Sequence, residues 1–199
     1  MSFDANGMLV NLEDAPRVAP FQDWALDLYI ERQRNYLKDD PQFLYCMPPG
    51  GPRHFQMPHP QGVQLVQDRE RDRLFVLTGG GNSNWRLVYT AGRGNLDQIT
   101  INPGNPLFYG SSVAEWEGDT LVIDTWNFND AFWFSNGGLP HTPLLRLTER
   151  ISRPDFNTLH YEVTITDPGA YSRPWTSSWD LQWIPGEELP EYFCQGNRP

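Results

Sequence analysis

From Val63 onward the chain is a succession of short runs rich in Val, Ile, Leu, Thr and aromatic residues, each closed by Gly, Asn, Asp or Pro. This spacing constrains the fold more than any other feature. Such residues suit a pleated, half-buried surface, and the punctuating residues suit tight turns. The pattern predicts strands at about Val63–Gln67, Arg73–Thr78, Trp85–Thr90, Gln98–Ile101, Ser112–Glu117, Thr120–Trp126, Leu144–Ser152, Thr158–Thr166, Ser177–Trp183 and Glu191–Cys194. Glu117-Gly118-Asp119 is the sharpest hairpin signal among the turns. Many short strands at even spacing predict an all-β fold, a single antiparallel lipocalin-like (calycin-like) β-barrel.

Upstream, Phe21 to Leu37 predicts the one N-terminal helix. Trp24, Leu28, Ile30 and Leu37 form its apolar stripe, and Glu31, Arg32 and Arg34 face solvent. Pro41 disfavours helix at Asp40, and Met47-Pro48-Pro49-Gly50-Gly51-Pro52 predicts an extended, irregular crossing. No linker, repeat or low-complexity tract divides the chain. The expectation is one domain over 1–199, with 1–60 packed on the barrel.

Lys and Arg total 15 against 25 Asp and Glu, a formal charge of −10. That balance repels phosphate backbones and anionic lipid surfaces, so neither nucleic acid nor a membrane is an expected partner. No run approaches the roughly 18 apolar residues of a membrane span. The first ten residues lack the basic region and apolar run of a signal peptide, so the chain as it stands reads as cytoplasmic; a removed signal would leave the same sequence. Cys46 and Cys194 have no CxxC spacing and no metal-site context. They are either buried free thiols or a disulfide joining the N-terminal segment to the last strand, and a reduced cytoplasm argues against the bond.

Side chains alternate faces along a strand, so a charge sharing a face with aliphatic residues is informative. On Leu144–Ser152, Glu149 lies on the face of Leu145, Leu147 and Ile151, which points it into the core. A carboxylate there is paired, hydrogen-bonded or neutral, and its pKa rises if desolvation dominates. It is either an acid/base group or a structural partner of an interior Arg. Arg86, between Trp85 and Leu87, is the candidate interior cation, for Glu149 or for a ligand carboxylate. Tyr89, on the opposite face, is a candidate hydroxyl donor. Asp124 shares a face with Val122 and Trp126, at the interior or at the barrel rim. Asn129, Asp130, Phe132 and Trp133 belong to a stretch that either closes a pocket mouth or forms an Asn/Asp-stabilised turn. His141 precedes the Glu149 strand and suits proton transfer near neutral pH, or is an ordinary loop His. No HxH or HExxH spacing predicts a metal, Gly79-Gly80-Gly81 is not a phosphate loop, and no GxSxG elbow occurs.

Several motifs resemble one family: Tyr29-x-Glu31-Arg32 with Lys38-Asp39-Asp40-Pro41, Cys46-x-Pro48-Pro49-Gly50-x-Pro52-Arg53, Trp116 through Thr125, Asn127-Phe128-Asn129-Asp130, Leu147-Thr148-Glu149-Arg150, Asp167-Pro168 to Pro174-Trp175-Thr176, and Glu191-Tyr192-x-Cys194. It is a large, mostly uncharacterised bacterial family, abundant in soil acidobacteria and present in sphingomonads and other proteobacteria. The resemblance implies that Asp124, Asn129, Asp130, His141, Glu149 and Arg150 occupy motif positions; it brings no settled reaction.

An inward acid, abundant aromatics (8 Trp, 8 Tyr, 11 Phe) and no nucleotide or metal motif predict a cofactor-independent lyase, of decarboxylase or dehydratase type. The expected substrate is an aromatic, lignin-derived carboxylic acid. Glu149, His141 and Asp124 would be the catalytic candidates. Arg86 would hold the carboxylate, and Trp85, Tyr89, Asn129, Asp130, Phe132 and Trp133 would line the site. A non-catalytic carrier or an isomerase/cyclase in the same pocket is the alternative. The aromatic surplus also suits a homodimer interface.

Overall fold

The computed structural model describes residues 1–4, 7–35, 38–56, 61–80, 84–92, 105–191 and 193–194. Eight strands form one curled sheet, a half-barrel, in chain order: β1 (Val63–Asp68), β2 (Arg73–Thr78), β3 (Trp85–Tyr89), β4 (Ser111–Glu117), β5 (Thr120–Trp126), β6 (Arg146–Ser152), β7 (Thr158–Thr166) and β8 (Trp175–Gln182). Neighbours pair antiparallel except β3 and β4, which run parallel through Val88↔Ser112 and Tyr89↔Val113. The β4–β5 hairpin turns where the sequence placed it. Glu117 pairs with Thr120, and Gly118 takes φ +62°, a conformation that costs glycine nothing.

Two expectations are corrected. Among the described residues β1 and β8 do not pair, so the sheet is open, and the parallel β3–β4 step departs from an up-and-down lipocalin meander. The N-terminal region also holds more than one helix. α1 (Asp23–Arg34) is shorter than read, α2 (Pro41–Tyr45) starts at Pro41, and 3₁₀ turns occupy Leu12–Arg17 and Gly51–Gln56. Asp40 caps α2 by accepting from the Gln42 amide, and Pro41 sits where its missing N–H costs nothing. On α1 the buried line is Ala25, Tyr29 and Gln33, while Trp24 is exposed; Leu37 lies outside the described residues. So does the strand expected at Gln98–Ile101, and residues 191, 193 and 194 form no strand.

The concave face of the sheet carries the core. Leu74 and Val76, Val88, Ala114, Leu121 and Ile123, Leu147 and Ile151, and Tyr161, Val163 and Ile165 are all buried on it. Two segments fill the hollow: the Gly51–Gln56 turn, which brings Phe55 to 4.4 Å from the Tyr161 ring, and the stretch after β5, which supplies Phe128, Phe132 and Phe134. Gly50 is required there, because a Cβ would fall 2.3 Å from the Phe132 ring. α1 is latched to the second segment. Gln33 accepts from Leu9 N and donates to Gly137 O, and Arg32 donates to Gly138 O while lying 4.8 Å over Trp133. A buried forked pair, Arg53 on Asp40, adds Asn136 through Nε and ties the two fillers together.

Cys46 and Cys194 are joined in a disulfide across 148 positions, which replaces the free-thiol alternative. The bond removes freedom from the unfolded chain that so long a loop would otherwise enjoy. Reduction, or Cys46→Ser, is expected to cost about 2–4 kcal/mol. Urea unfolding with and without reductant checks this: the Cys46→Ser midpoint should drop and cease to respond to reductant.

Candidate functional site

Register across the sheet explains how charges reach the concave face. Arg86 stands opposite Val76 on β2, and Glu149 lies between Ile123 of β5 and Val163 of β7. Ser112 and Thr125 pair across β4 and β5 between them. Arg86 is 2% exposed and Glu149 0%. Arg86 grips the carboxylate in a fork, Nη1 to Oε1 at 2.9 Å and Nη2 to Oε2 at 2.5 Å. Its Nε donates to Ser112 Oγ at 3.0 Å, and Nη2 also reaches Thr125 Oγ1. Glu149 further accepts from the Tyr161 hydroxyl at 2.7 Å and from Thr125 at 3.2 Å.

The electrostatics follow from this geometry. Burial, the largest single influence, pushes the Glu149 carboxyl up, but the charge and hydrogen bonds of Arg86 together with the Tyr161 hydroxyl hold it below its ordinary value. The carboxylate is therefore ionised, and the rise expected from desolvation does not occur. Tyr161 moves well above its ordinary value, through burial and then the adjacent carboxylate.

His54, from the Gly51–Gln56 turn, is fully buried beside the pair. Its ring packs 4.4 Å from Phe55 and edge-on to Tyr109 at 5.4 Å. Burial, reinforced by Arg86, drives its pKa down to about 3, so the imidazole is neutral. Nδ1 is hydrogen-bonded to Gly51 O, which leaves Nε2 buried without a partner. The Tyr109 hydroxyl is buried near Asn84 without a well-formed hydrogen bond, and burial raises its pKa.

A cleft of about 460 Å³ opens on the same face, toward β8. Phe134, Val163, Ile165, Trp175, Ser177 and Trp179 line it, with Pro52, Gln56, Asn136 and N-terminal residues on the far side. Register shapes its floor: Val163 faces the small Ser177, while Ile165 faces Trp175 and Tyr161 faces Trp179. Two indoles thus rise on either side of a low step. Trp179 packs 4.7 Å from Tyr161 and donates its indole N–H to Phe55 O at 3.1 Å. The Trp175 indole N–H is buried with no partner. Glu149 and Arg86 do not line this cleft; Val163 and Tyr161 stand between.

Of the residues singled out from sequence, Arg86 and Glu149 come together as an ion pair, and His141 meets Phe132 in the core. His141 is buried between Phe132 and Phe134, with its ring nitrogens facing the Phe132 and Thr142 carbonyls at 3.0 and 3.3 Å, and burial lowers its pKa. Asp124 is half-buried on the convex face, accepting from Thr148 at 2.8 Å. Trp85 is 59% exposed, and Tyr89 is on that convex side under Arg73. Asn129 caps its own turn at Ala131 N and Asp130 is exposed. Phe132 and Trp133 are core residues. His54, Tyr161, Thr125 and Ser112 were missed. Thr125 and Tyr161 share faces with aliphatic neighbours, the signal that picked out Glu149, whereas His54 sits where no strand parity applies. Among the described residues no three His, Cys, Asp or Glu side chains gather as a metal-ligand set.

No family model matches the chain. No curated protein matches it, and no solved structure does.

Removing one partner of the buried pair strands the other charge. Glu149→Gln is expected to destabilise by about 3–5 kcal/mol, while the double change Arg86→Met with Glu149→Leu recovers most of that loss. Chemical denaturation of both variants decides it. Acid acts through His54 as well. An unfolded His takes a proton near pH 6.5 and this one only near 3, so stability falls as pH drops below 6.5. Glu149, with its lowered value, adds its own loss only below about pH 4.5. In denaturation midpoints measured from pH 7 to 5, His54→Gln should flatten the slope by up to about 1.4 kcal/mol per pH unit, one proton's worth.

Proposed function

We propose that this protein binds an aromatic small molecule in the concave cleft between β7, β8 and the N-terminal segment. The observation that carries the reading is the wall itself. Two indoles and Phe134 flank a floor of Val163 and Ser177, and the Trp175 N–H on that wall has no partner. A buried unpaired donor on a wall of indole and aliphatic side chains is what an oriented ligand would satisfy. The cleft's size falls in the range of ordinary ligand pockets.

A second reading, the cofactor-independent lyase expected from sequence, has one specific support. His54 Nε2 and the Tyr109 hydroxyl are buried near the Arg86–Glu149 pair without good partners. Against it, every Arg86 nitrogen is already engaged by Glu149, Ser112 or Thr125, which removes the expected anchor for a substrate carboxylate. The Glu149 carboxylate is likewise held by Arg86, Tyr161 and Thr125 rather than poised to move a proton. Binding therefore ranks first.

The disulfide bears on where this happens. A bond closing most of the chain belongs to an oxidising compartment, so we place the working protein there rather than in the reduced cytoplasm expected from sequence. No helix among the described residues is long and apolar enough to cross a membrane.

Tryptophan fluorescence titrated with a panel of one- and two-ring aromatic compounds, followed by mass spectrometry of each compound after incubation, tests both readings. Binding predicts saturable quenching with mass and retention unchanged, abolished by Ser177→Trp, which fills the cleft floor. Loss of mass would establish the lyase instead, and changed retention at constant mass an isomerase or cyclase.

A further inference from the structure

We infer that the ligand of this cleft is electrically neutral and carries a hydrogen-bond acceptor beside its ring: an aromatic ester, ketone or ether, not a free carboxylic acid. The inference rests on the binding reading above and specifies its substrate class.

Charge is the first argument. None of the side chains lining the cleft carries a charge at neutral pH; its polar members are Tyr29, Gln56, Ser135, Asn136, Thr176, Ser177 and the two indoles. Met1 lines the cleft, and its amino group is paired with Asp14 at 3.8 Å. The guanidinium groups behind the wall are spent. Arg86 is forked on Glu149, Arg53 is forked on Asp40 with its Nε on Asn136, and Arg32 lies over Trp133 with Nη1 on Gly138 O. A carboxylate entering here would lose water and meet no cationic side chain, only the Met1 amino group that already faces Asp14, in a chain of net charge −10. A ligand ammonium would meet no free anion among the lining side chains either.

Hydrogen-bond bookkeeping is the second, independent argument. The cleft's amides already have work: Asn136 donates to Gln56 O and accepts from Arg53, and Gln56 Oε1 accepts from Asn136 N. Ser135 Oγ accepts from Leu139 N, Thr176 Oγ1 is bonded to Thr164, and Trp179 donates to Phe55 O. The Trp175 indole N–H is buried on this wall with no acceptor. Indole only donates, so its ligand partner must be an acceptor such as a carbonyl or ether oxygen. The Trp175 ring stays in place without that bond, packed edge-on to Tyr171 at 5.4 Å and near Phe134 at 6.5 Å. The ring is thus held ready, and a small shift of the wall is all that an acceptor needs to reach the buried N–H.

Three matched probes test this on the full-length, disulfide-bonded protein at pH 7: methyl cinnamate (neutral, with acceptor), cinnamate (the anion) and β-methylstyrene (neutral, no acceptor). Calorimetry or fluorescence should give methyl cinnamate a Kd at least 10-fold below that of cinnamate. Trp175→Phe keeps a ring and removes only the donor. It should weaken methyl cinnamate about 5-fold, one hydrogen bond's worth, and leave β-methylstyrene within about twofold. Cinnamate binding as tightly as its ester, or an ester affinity untouched by Trp175→Phe, would overturn the inference while leaving a ligand cleft in place. Failure of all three probes to bind, with no difference between the parent protein and Ser177→Trp, would remove the cleft reading itself.

Discussion

The fork between Arg86 and Glu149 is the constraint around which the interior is organised. Two full charges at the centre of a hydrophobic face are tolerated because each finds the other and because Ser112, Thr125 and Tyr161 fill the remaining hydrogen-bonding positions. The pair joins β3 to β6 across the two strands between them, so it fixes how the open sheet curls. It is a weak source of net stability and a strong source of specificity in our reading. Any slip in register would leave a charge alone in the core.

That fork also decides where chemistry can occur. A buried acid beside aromatic residues invites a catalytic assignment, and the sequence invites it strongly here. The geometry answers with an ionised carboxylate locked to a cation, and with the open space displaced one residue layer away, over Val163 and Ser177. A cleft built beside a neutralised pair, rather than around it, presents aromatic, aliphatic and neutral polar side chains. The function proposed here is the consequence of that displacement.

Much of this was legible from residue order alone. The alternation Leu145, Leu147, Glu149, Ile151 located Glu149 inside, because parity along a strand leaves a side chain only two directions. Arg86 was found as its possible mate by the same rule. Parity misled where it had no sheet to act on. Phe132 and Trp133 read as part of a pocket mouth or a turn and His141 as a loop residue, yet with Phe128 and Phe134 they are buried, because an open curled sheet must be plugged from the chain's irregular segments. His54 was unreadable for a related reason: it comes from a 3₁₀ turn within a proline-rich crossing, and only the folded turn delivers it to the pair. Asp124 reads as interior or at the barrel rim, and the β5–β6 register places it outward against Thr148. The cleft depends on Trp175 and Trp179 standing either side of Ser177, which required β8 to begin two residues earlier than the sequence pattern placed it.

The side of Tyr161 on which a ligand settles separates the cleft from the buried pair. Indole N–H resonances of the ¹⁵N-labelled protein, assigned by single Trp→Phe changes, report this directly during titration with methyl cinnamate. We predict that the Trp175 and Trp179 signals shift together and saturate, with His54 ring resonances unmoved. Shifts centred on His54 and the Tyr161–Glu149 side, with both β8 indoles silent, would contradict it and return the function to the buried pair.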